Sequence, residues 1–244
     1  MSTVSSSEGT TRARSPRIDL IDAARGFSVI LMVIHHFLFD LVDFLGAPIW
    51  LFYNPVFNVL QAIFAGLFIF LCGVSSRFSR SNLKRGGKTA AAALAISVVT
   101  YFMGMPILFG ILHLLAVCMI LYGLLGRWIE RISQKIAPFL WIVLIVLSAL
   151  AVARIPAWSE HVWALGWTTE AFFSADYFPI FPWVFVFLLG TWAGEPIRER
   201  KLPKWFYEKK APLFARAGRH SFLIYLAHQP ILYGLTMLIL KIRG

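Results

Sequence analysis

The chain has 244 residues, of which 59% are hydrophobic and only 14% charged, with a formal net charge of +11 and two cysteines. That balance is far too apolar for an ordinary soluble domain and indicates an all-α bundle of membrane-spanning helices. The positive charge does not point to a nucleic-acid partner, because no basic module stands apart from the apolar runs. It suits membrane topology and contact with anionic lipid headgroups instead.

Residues 1–15, "MSTVSSSEGTTRARS", are polar, rich in Ser and Thr and free of periodicity, and read as a flexible cytoplasmic tail ahead of a single transmembrane domain over 16–244. The apolar run that follows is too long and too poorly flanked for a cleaved signal peptide. A bilayer core of roughly 30 Å needs about 20 apolar residues per helix. About seven runs qualify: Phe27 to Leu45, Pro55 to Val74, Thr89 to Met105, Phe109 to Leu125, Ala137 to Ala153, Ile180 to Gly194 and Ser221 to Leu240.

Lys and Arg alternate between the loops. They gather in the tail (Arg12, Arg14, Arg17), after the second run (Arg77, Arg80, Lys84, Arg85, Lys88), after the fourth (Arg127, Arg131, Lys135) and from Arg198 to Arg219. By the positive-inside rule the N-terminus lies in the cytoplasm and the C-terminus outside.

The first run carries the polar residues least at home in a bilayer. In "RIDLIDAARG", Asp22 and Arg25 lie three apart and can pair. His36 follows Arg25 by about three helical turns, roughly 16 Å along the axis, and Asp40 lies one turn further on that face. His35 points elsewhere. Snorkelling to headgroups accounts for Arg25 or Asp40 taken alone, but an ionisable His36 deep in a span marks an interior site or pathway. A carboxylate one turn from an imidazole can set its tautomer and raise its basicity, as a general base requires.

Further along, "FGILHLLAV" places His113 in the fourth run, and "SADYFPIFPW" places Asp176 and Tyr177 at the mouth of the sixth. The last run carries Ser221, Tyr225 and His228 at spacings of four and three, hence on one face, beside Gln229. Pro230 there frees a backbone carbonyl and opens a kink. Histidines on three separate helices point to one shared site. Cys72 and Cys118 suit apolar packing and no spacing suggests a metal. Gly190 and Gly194 offer close helix packing or dimerisation. Trp158, Trp163 and Trp167 suit membrane anchoring better than sugar stacking.

Five blocks, "RIDLIDAARGFSVILMVIHHFLFDL", "FIFLCGVSSRFS" with its following "LKRG", "FGILHLLAV", "DYFPIFPWVFVFLLG" and "GRHSFLIYLAHQPIL", resemble in order the bacterial relatives of heparan-α-glucosaminide N-acetyltransferase. The spacing of Arg25 and His36 also resembles the first helix of the acyltransferase-3 membrane enzymes. The resemblance implies an acetyltransferase in the bacterial inner membrane. It would use cytoplasmic acetyl-CoA, with no metal, and pass the acetyl group to a sugar amine or hydroxyl on the outer side. On that reading His36, His35, Asp40, His228 and His113 are the catalytic candidates. Arg25, Arg219, His220, Ser221 and Tyr225 would hold the cofactor, and Asp176, Tyr177, Asn54 and Gln229 the acceptor, with Asn58 beside Asn54. A homodimer is also implied by the family likeness. The animal members carry their proposed catalytic histidine after the first span, where "GAPIWLFYNP" has none, so His36 rests on the helix argument and the acyltransferase-3 spacing. The histidine can act as a base or carry the acetyl group transiently. A proton-coupled transporter using the same buried set is the competing class, although no repeat or pair of broken spans supports it.

Overall fold

The structure is a computed structural model that describes residues 17–243, so the expected tail over 1–15 lies outside the described residues. The described chain is all-α, with no strand. The first helix, α1 (Asp19–Asp43), starts at Asp19 rather than Phe27, because the expected entry turn is itself helical. Asp19 and Asp22 sit in its first turn, where the helix dipole favours negative charge.

The second helix, α2 (Pro55–Ser76), is capped by Asn54, whose Oδ1 accepts from the Phe57 N–H at 3.0 Å, with Pro55 at the first helical position. Ser81 caps α3 (Asn82–Phe102) in the same way, so Lys84, Arg85 and Lys88 lie within the helix and not in a loop before it. Then come α4 (Ile111–Ile129), α5 (Ala137–Arg154) and α6 (Ile180–Arg198). Two short helices, α7 (Lys204–Glu208) and α8 (Pro212–Arg219), occupy what the sequence presents as a basic loop. The last, α9 (Ser221–Arg243), continues through Pro230.

Six stretches are long and apolar enough to cross a membrane, and all six coincide with expected spans. The remaining expected run lies in α3. Thr89 to Met105 is largely helical, but Arg85 and Lys88 make its helix too polar to count by composition. Yet α3 runs antiparallel beside α4, with Leu83 against Gly123, Gly86 against Ile120 and Ser97 bonded to His113.

Within a bilayer, apolar side chains gain little by leaving lipid, so helices associate through close packing at small residues. Here α2 and α6 meet at Gly73, Gly190 and Gly194, where a Cβ would collide with the carbonyls of Phe187, Phe70 and Val74. The expected Gly190 and Gly194 contact is therefore made inside the chain. Phe187, Ile69, Leu114 and Cys118 fill the buried centre that these helices enclose. The apolar residues of α5, among them Phe139, Val143 and Leu147, face outward as a lipid-contacting stripe.

One end of the bundle gathers the basic residues. Arg77, at the end of α2, pairs with Glu130 after α4 and with Glu195 on α6. Arg219 and Lys210 approach Asp19 at 3.7 and 3.8 Å. Asp43, Tyr53 and Asp176 lie towards the opposite end.

Candidate active site

A cleft runs along α1 from Ser28 to His36, between α1, α2 and α9, closed by the start of α4 and the segment before α6. Its polar lining consists of Ser28, His35, His36, Gln61, Asp176 and Tyr225, set among apolar residues such as Met32, Phe64 and Phe68. Three helices contribute because α1 packs against both α2 and α9; α1 and α9 begin at the basic end, while α2 runs the opposite way.

The centre of the site is a pair of histidines from α1 and α9. The rings of His36 and His228 have centroids 4.9 Å apart, and His35 stands edge-on to His36 at 5.7 Å. His228 Nδ1 lies 2.6 Å from the Tyr225 carbonyl oxygen. A carbonyl only accepts, so Nδ1 carries the hydrogen and Nε2 carries the lone pair. That Nε2 is buried and meets no hydrogen-bond partner among the described residues.

Arg25 lies one turn from Ser28 at the basic end of the cleft. Its guanidinium donates to Asp22 at 3.0 Å, as the spacing predicts, and to Ser75 of α2 at 2.6 Å. Both bonds fix its direction. Arg219 and His220 are exposed nearby, and Ser221 is buried at the first turn of α9. Tyr225, expected with them, is one turn further in. Its hydroxyl donates to Asp176 Oδ2 at 3.3 Å, at the other end of the cleft.

Asp176 also accepts from the Ile111 N–H at 3.1 Å, on the N-terminus of α4. Gly110 makes that approach feasible, since a Cβ there would collide with the Asp176 carboxylate. Burial pushes the Asp176 carboxyl up to about 6, against the opposing pull of the two hydrogen bonds. Tyr177, its neighbour, turns away and donates to the Trp163 carbonyl at 2.6 Å, and burial raises its phenol to about 12.

Asp40 is fully buried and accepts from Gln229 Nε2 at 3.2 Å. The sequence reading pairs Asp40 with His36; the structure gives it to Gln229, because α9 crosses α1 at that level. His113 is not brought to the cleft. Its Nδ1 accepts from the Gly110 N–H at 3.2 Å and its Nε2 bonds Ser97 on α3 at 3.1 Å, so it closes the start of α4. Asn54 is likewise occupied as the cap of α2, donating to the Trp50 carbonyl at 2.9 Å, and Asn58 is exposed. Neither reaches the cleft.

Gln61 and Ser28 are the polar lining residues that the sequence motifs do not single out. The signal of Gln61 is a lone amide in the apolar run "NVLQAIFAG". Among the described residues no cluster of three or more His, Cys, Asp or Glu stands close enough to hold a metal ion.

A family model described as "Heparan-alpha-glucosaminide N-acetyltransferase, catalytic" matches residues 17–230. No curated protein and no solved structure matches the chain.

Proposed function

Because the chain belongs to the heparan-alpha-glucosaminide N-acetyltransferase catalytic family, we propose that it moves an acetyl group from acetyl-CoA, entering at the basic end of the bundle, to an amine or hydroxyl of a sugar at the opposite end. The observation that carries this reading is the ring contact of His36, which lines the cleft, with His228, while Arg25 lies one turn before Ser28, the lining residue on its side of α1. The positive-inside rule puts the basic end in the cytoplasm, where acetyl-CoA is made. The setting is a multi-pass protein of a bacterial inner membrane.

The residues present suit the coenzyme. Arg25 is oriented by Asp22 and Ser75, and with Arg219, His220 and Ser221 it offers donors to phosphate groups at the basic end. From there a thioester directed along α1 would reach His36, which lines the cleft. Acetyl-CoA supplies an activated acyl group. His36, which faces the cleft, removes the proton as the acceptor nitrogen or oxygen forms its bond to the acetyl carbon and the carbon–sulfur bond breaks, and then returns that proton to the leaving thiolate, which departs as the thiol. His228 stands behind His36, held in one tautomer by the Tyr225 carbonyl, with Nε2 free to share the proton. Asp176 and Tyr225, at the far end of the cleft, present a carboxylate and a hydroxyl to the acceptor.

The test is binding of acetyl-CoA and thiol release by purified protein in nanodiscs, with His36→Ala, His228→Ala and Arg25→Ala alongside. The reading expects Arg25→Ala to weaken binding, and the two histidine variants to bind but release no thiol. Wild-type protein that binds no acyl-CoA would overturn it.

A further inference from the structure

The helix faces that line the cleft continue past it towards the basic end. On α1, Arg25, Ser28, Met32 and His36 follow at steps of three, four and four, so they share one face. On α2, Phe68, Cys72 and Ser75 do the same at steps of four and three. Ser28, Met32, His36 and Phe68 line the cleft, and Arg25, Cys72 and Ser75 extend the two faces beyond it. There Arg25 donates to Ser75 Oγ at 2.6 Å. A second guanidinium arrives from α3. Arg85 donates to the Ser75 carbonyl and to Asn82 Oδ1, each at 3.4 Å, and Asn82 in turn donates to the Ser76 carbonyl at 3.0 Å. Cys72, one turn from Ser75, lies near both arginines.

The charges around Ser75 do not balance. Among the described residues Arg25 has one carboxylate partner, Asp22 at 3.0 Å, and Arg85 has none. Glu130 and Glu195 are taken up by Arg77. Arg85 is half-buried, and a partly desolvated cation without a counter-ion is unfavourable. Its bond to the Ser75 carbonyl serves the end of α2, but that role needs one donor and no charge. A guanidinium has five N–H donors, which leaves Arg85 able to take an anion.

We propose that Arg85 joins Arg25 across Ser75 to hold the pyrophosphate of the acyl-CoA, which makes α3 part of the coenzyme site. The inference rests on the acetyl-transfer reading for the identity of the ligand. Planar guanidiniums match phosphate oxygens with parallel N–H donors, and two of them on one diphosphate supply the charge that a single Arg25, already paired with Asp22, does not. Length selects the pyrophosphate. The pantetheine arm between pyrophosphate and sulfur has about a dozen chain atoms, as many as four extended residues, and spans roughly 14 Å. Arg25 and His36 are roughly 16 Å apart along α1. A diphosphate held at the two arginines therefore brings the thioester to the level of His36. The 3′-phosphate, on the ribose, lies on the other side of the diphosphate from that arm.

The test is ligand affinity of the full chain in nanodiscs, with three probes: acetyl-CoA, 3′-dephospho-acetyl-CoA and S-acetylpantetheine, the last titrated in excess because it has no phosphate. Arg85→Gln keeps a donor for the Ser75 carbonyl and loses the charge, so its melting temperature should match the wild type. Its affinity for acetyl-CoA and for the dephospho form should fall by about tenfold or more, the loss of one charged hydrogen-bonding partner. Its affinity for S-acetylpantetheine should not change. Lys84→Gln, the same charge change at an exposed residue of α3, should alter all three little. Wild-type affinity for acetyl-CoA in Arg85→Gln overturns the proposal, as does an equal loss with S-acetylpantetheine. A loss with acetyl-CoA that vanishes with the dephospho form overturns it too, because the arginine then holds the 3′-phosphate. In each of these cases wild-type binding of acetyl-CoA leaves the acetyl-transfer reading standing, whereas a wild type that binds none of the probes overturns both.

Discussion

Gly26 of α1 and Gly218 of α8 pack backbone on backbone: a Cβ on Gly218 would collide with the Asp22 carbonyl, and one on Gly26 with the Phe214 carbonyl. The short helix α8 is thereby pressed against the turn of α1 that carries Asp22 and Arg25. Backbone atoms cannot yield as a flexible side chain can, so Gly218→Ala should cost about 1–3 kcal/mol of stability. Gly234 on α9 has open space around it. Gly234→Ala should therefore stabilise, by roughly 0.5–1 kcal/mol from helix propensity alone. Melting curves of the two variants check the contrast; shifts in the same direction would mean that the crossing is loose.

Arg77 ties three helices together at the basic end. Its side chain is 6% exposed, against 15% for Glu195 and 45% for Glu130. Burial works against the Glu130 carboxylate, but the Tyr122 hydroxyl and Arg77 outweigh it and hold the carboxyl below its usual range. Arg77→Met leaves Glu195 with only the half-exposed Arg198 as its partner and should cost about 1–3 kcal/mol. Glu130→Gln removes a half-exposed partner and should cost under about 1 kcal/mol. Thermal unfolding in one detergent ranks the two, and equal losses would refute this division.

How much of this was legible in the sequence depended on how local the cause was. The spans were legible because apolar length is a local property, and so was the Asp22 and Arg25 pair, three residues apart on one helix. The start of α1 at Asp19 and of α3 at Asn82 was hidden because both first turns are polar and helical through capping and the dipole. The meeting of His36 with His228 could be anticipated from the number of buried histidines, but not the partner of Asp40. That depends on where α9 crosses α1. His113 misled because a histidine three residues into a helix can serve the helix start as well as a site, and only the position of Ser97 decides. Gln61 is not legible, because one amide scarcely alters an apolar run.

Asp176 gives the protein a pH dependence whose sign is fixed by its burial. The carboxyl rises from 3.8 in the unfolded chain to about 6 in the fold, so the folded state binds its proton more tightly. Stability from this group is therefore fully present below about pH 4 and is lost as pH rises through about 6, on the order of 3 kcal/mol in all. Asp176→Asn should remove that loss. The difference in melting temperature between Asp176→Asn and wild type should grow from pH 4 to pH 7, and a difference independent of pH would refute the assignment.

His113 and His228 should separate by readout. Substituting His113 by Ala removes the acceptor for the Gly110 N–H and the bond to Ser97, and should cost about 1–2 kcal/mol, as loss of a helix cap does. Substituting His228 by Ala removes the free Nε2 beside His36 and should abolish thiol release. It should lower the melting temperature little, since Nδ1 bonds only a carbonyl of its own helix. Paired melting and thiol-release assays decide, and a His228→Ala protein that turns over normally would remove it from the site.

Gln61 stands in the wall of the cleft with His35 and His36, on a helix whose neighbouring positions are apolar. Its amide makes no hydrogen bond to another described side chain, so nothing in the fold requires it. A polar group in a lipid-level cleft with no structural partner is placed for what enters the cleft. Gln61→Leu keeps the volume and removes the amide. Its melting temperature should stay level or rise, because an apolar residue suits the helix better. Binding of acetyl-CoA or of the acceptor should weaken by about tenfold, the equivalent of roughly 1.4 kcal/mol for one lost hydrogen bond. Titration of acetyl-CoA with and without saturating acceptor tells which ligand Gln61 holds, and unchanged affinity for both would mean that the amide faces a part of the cleft neither ligand occupies.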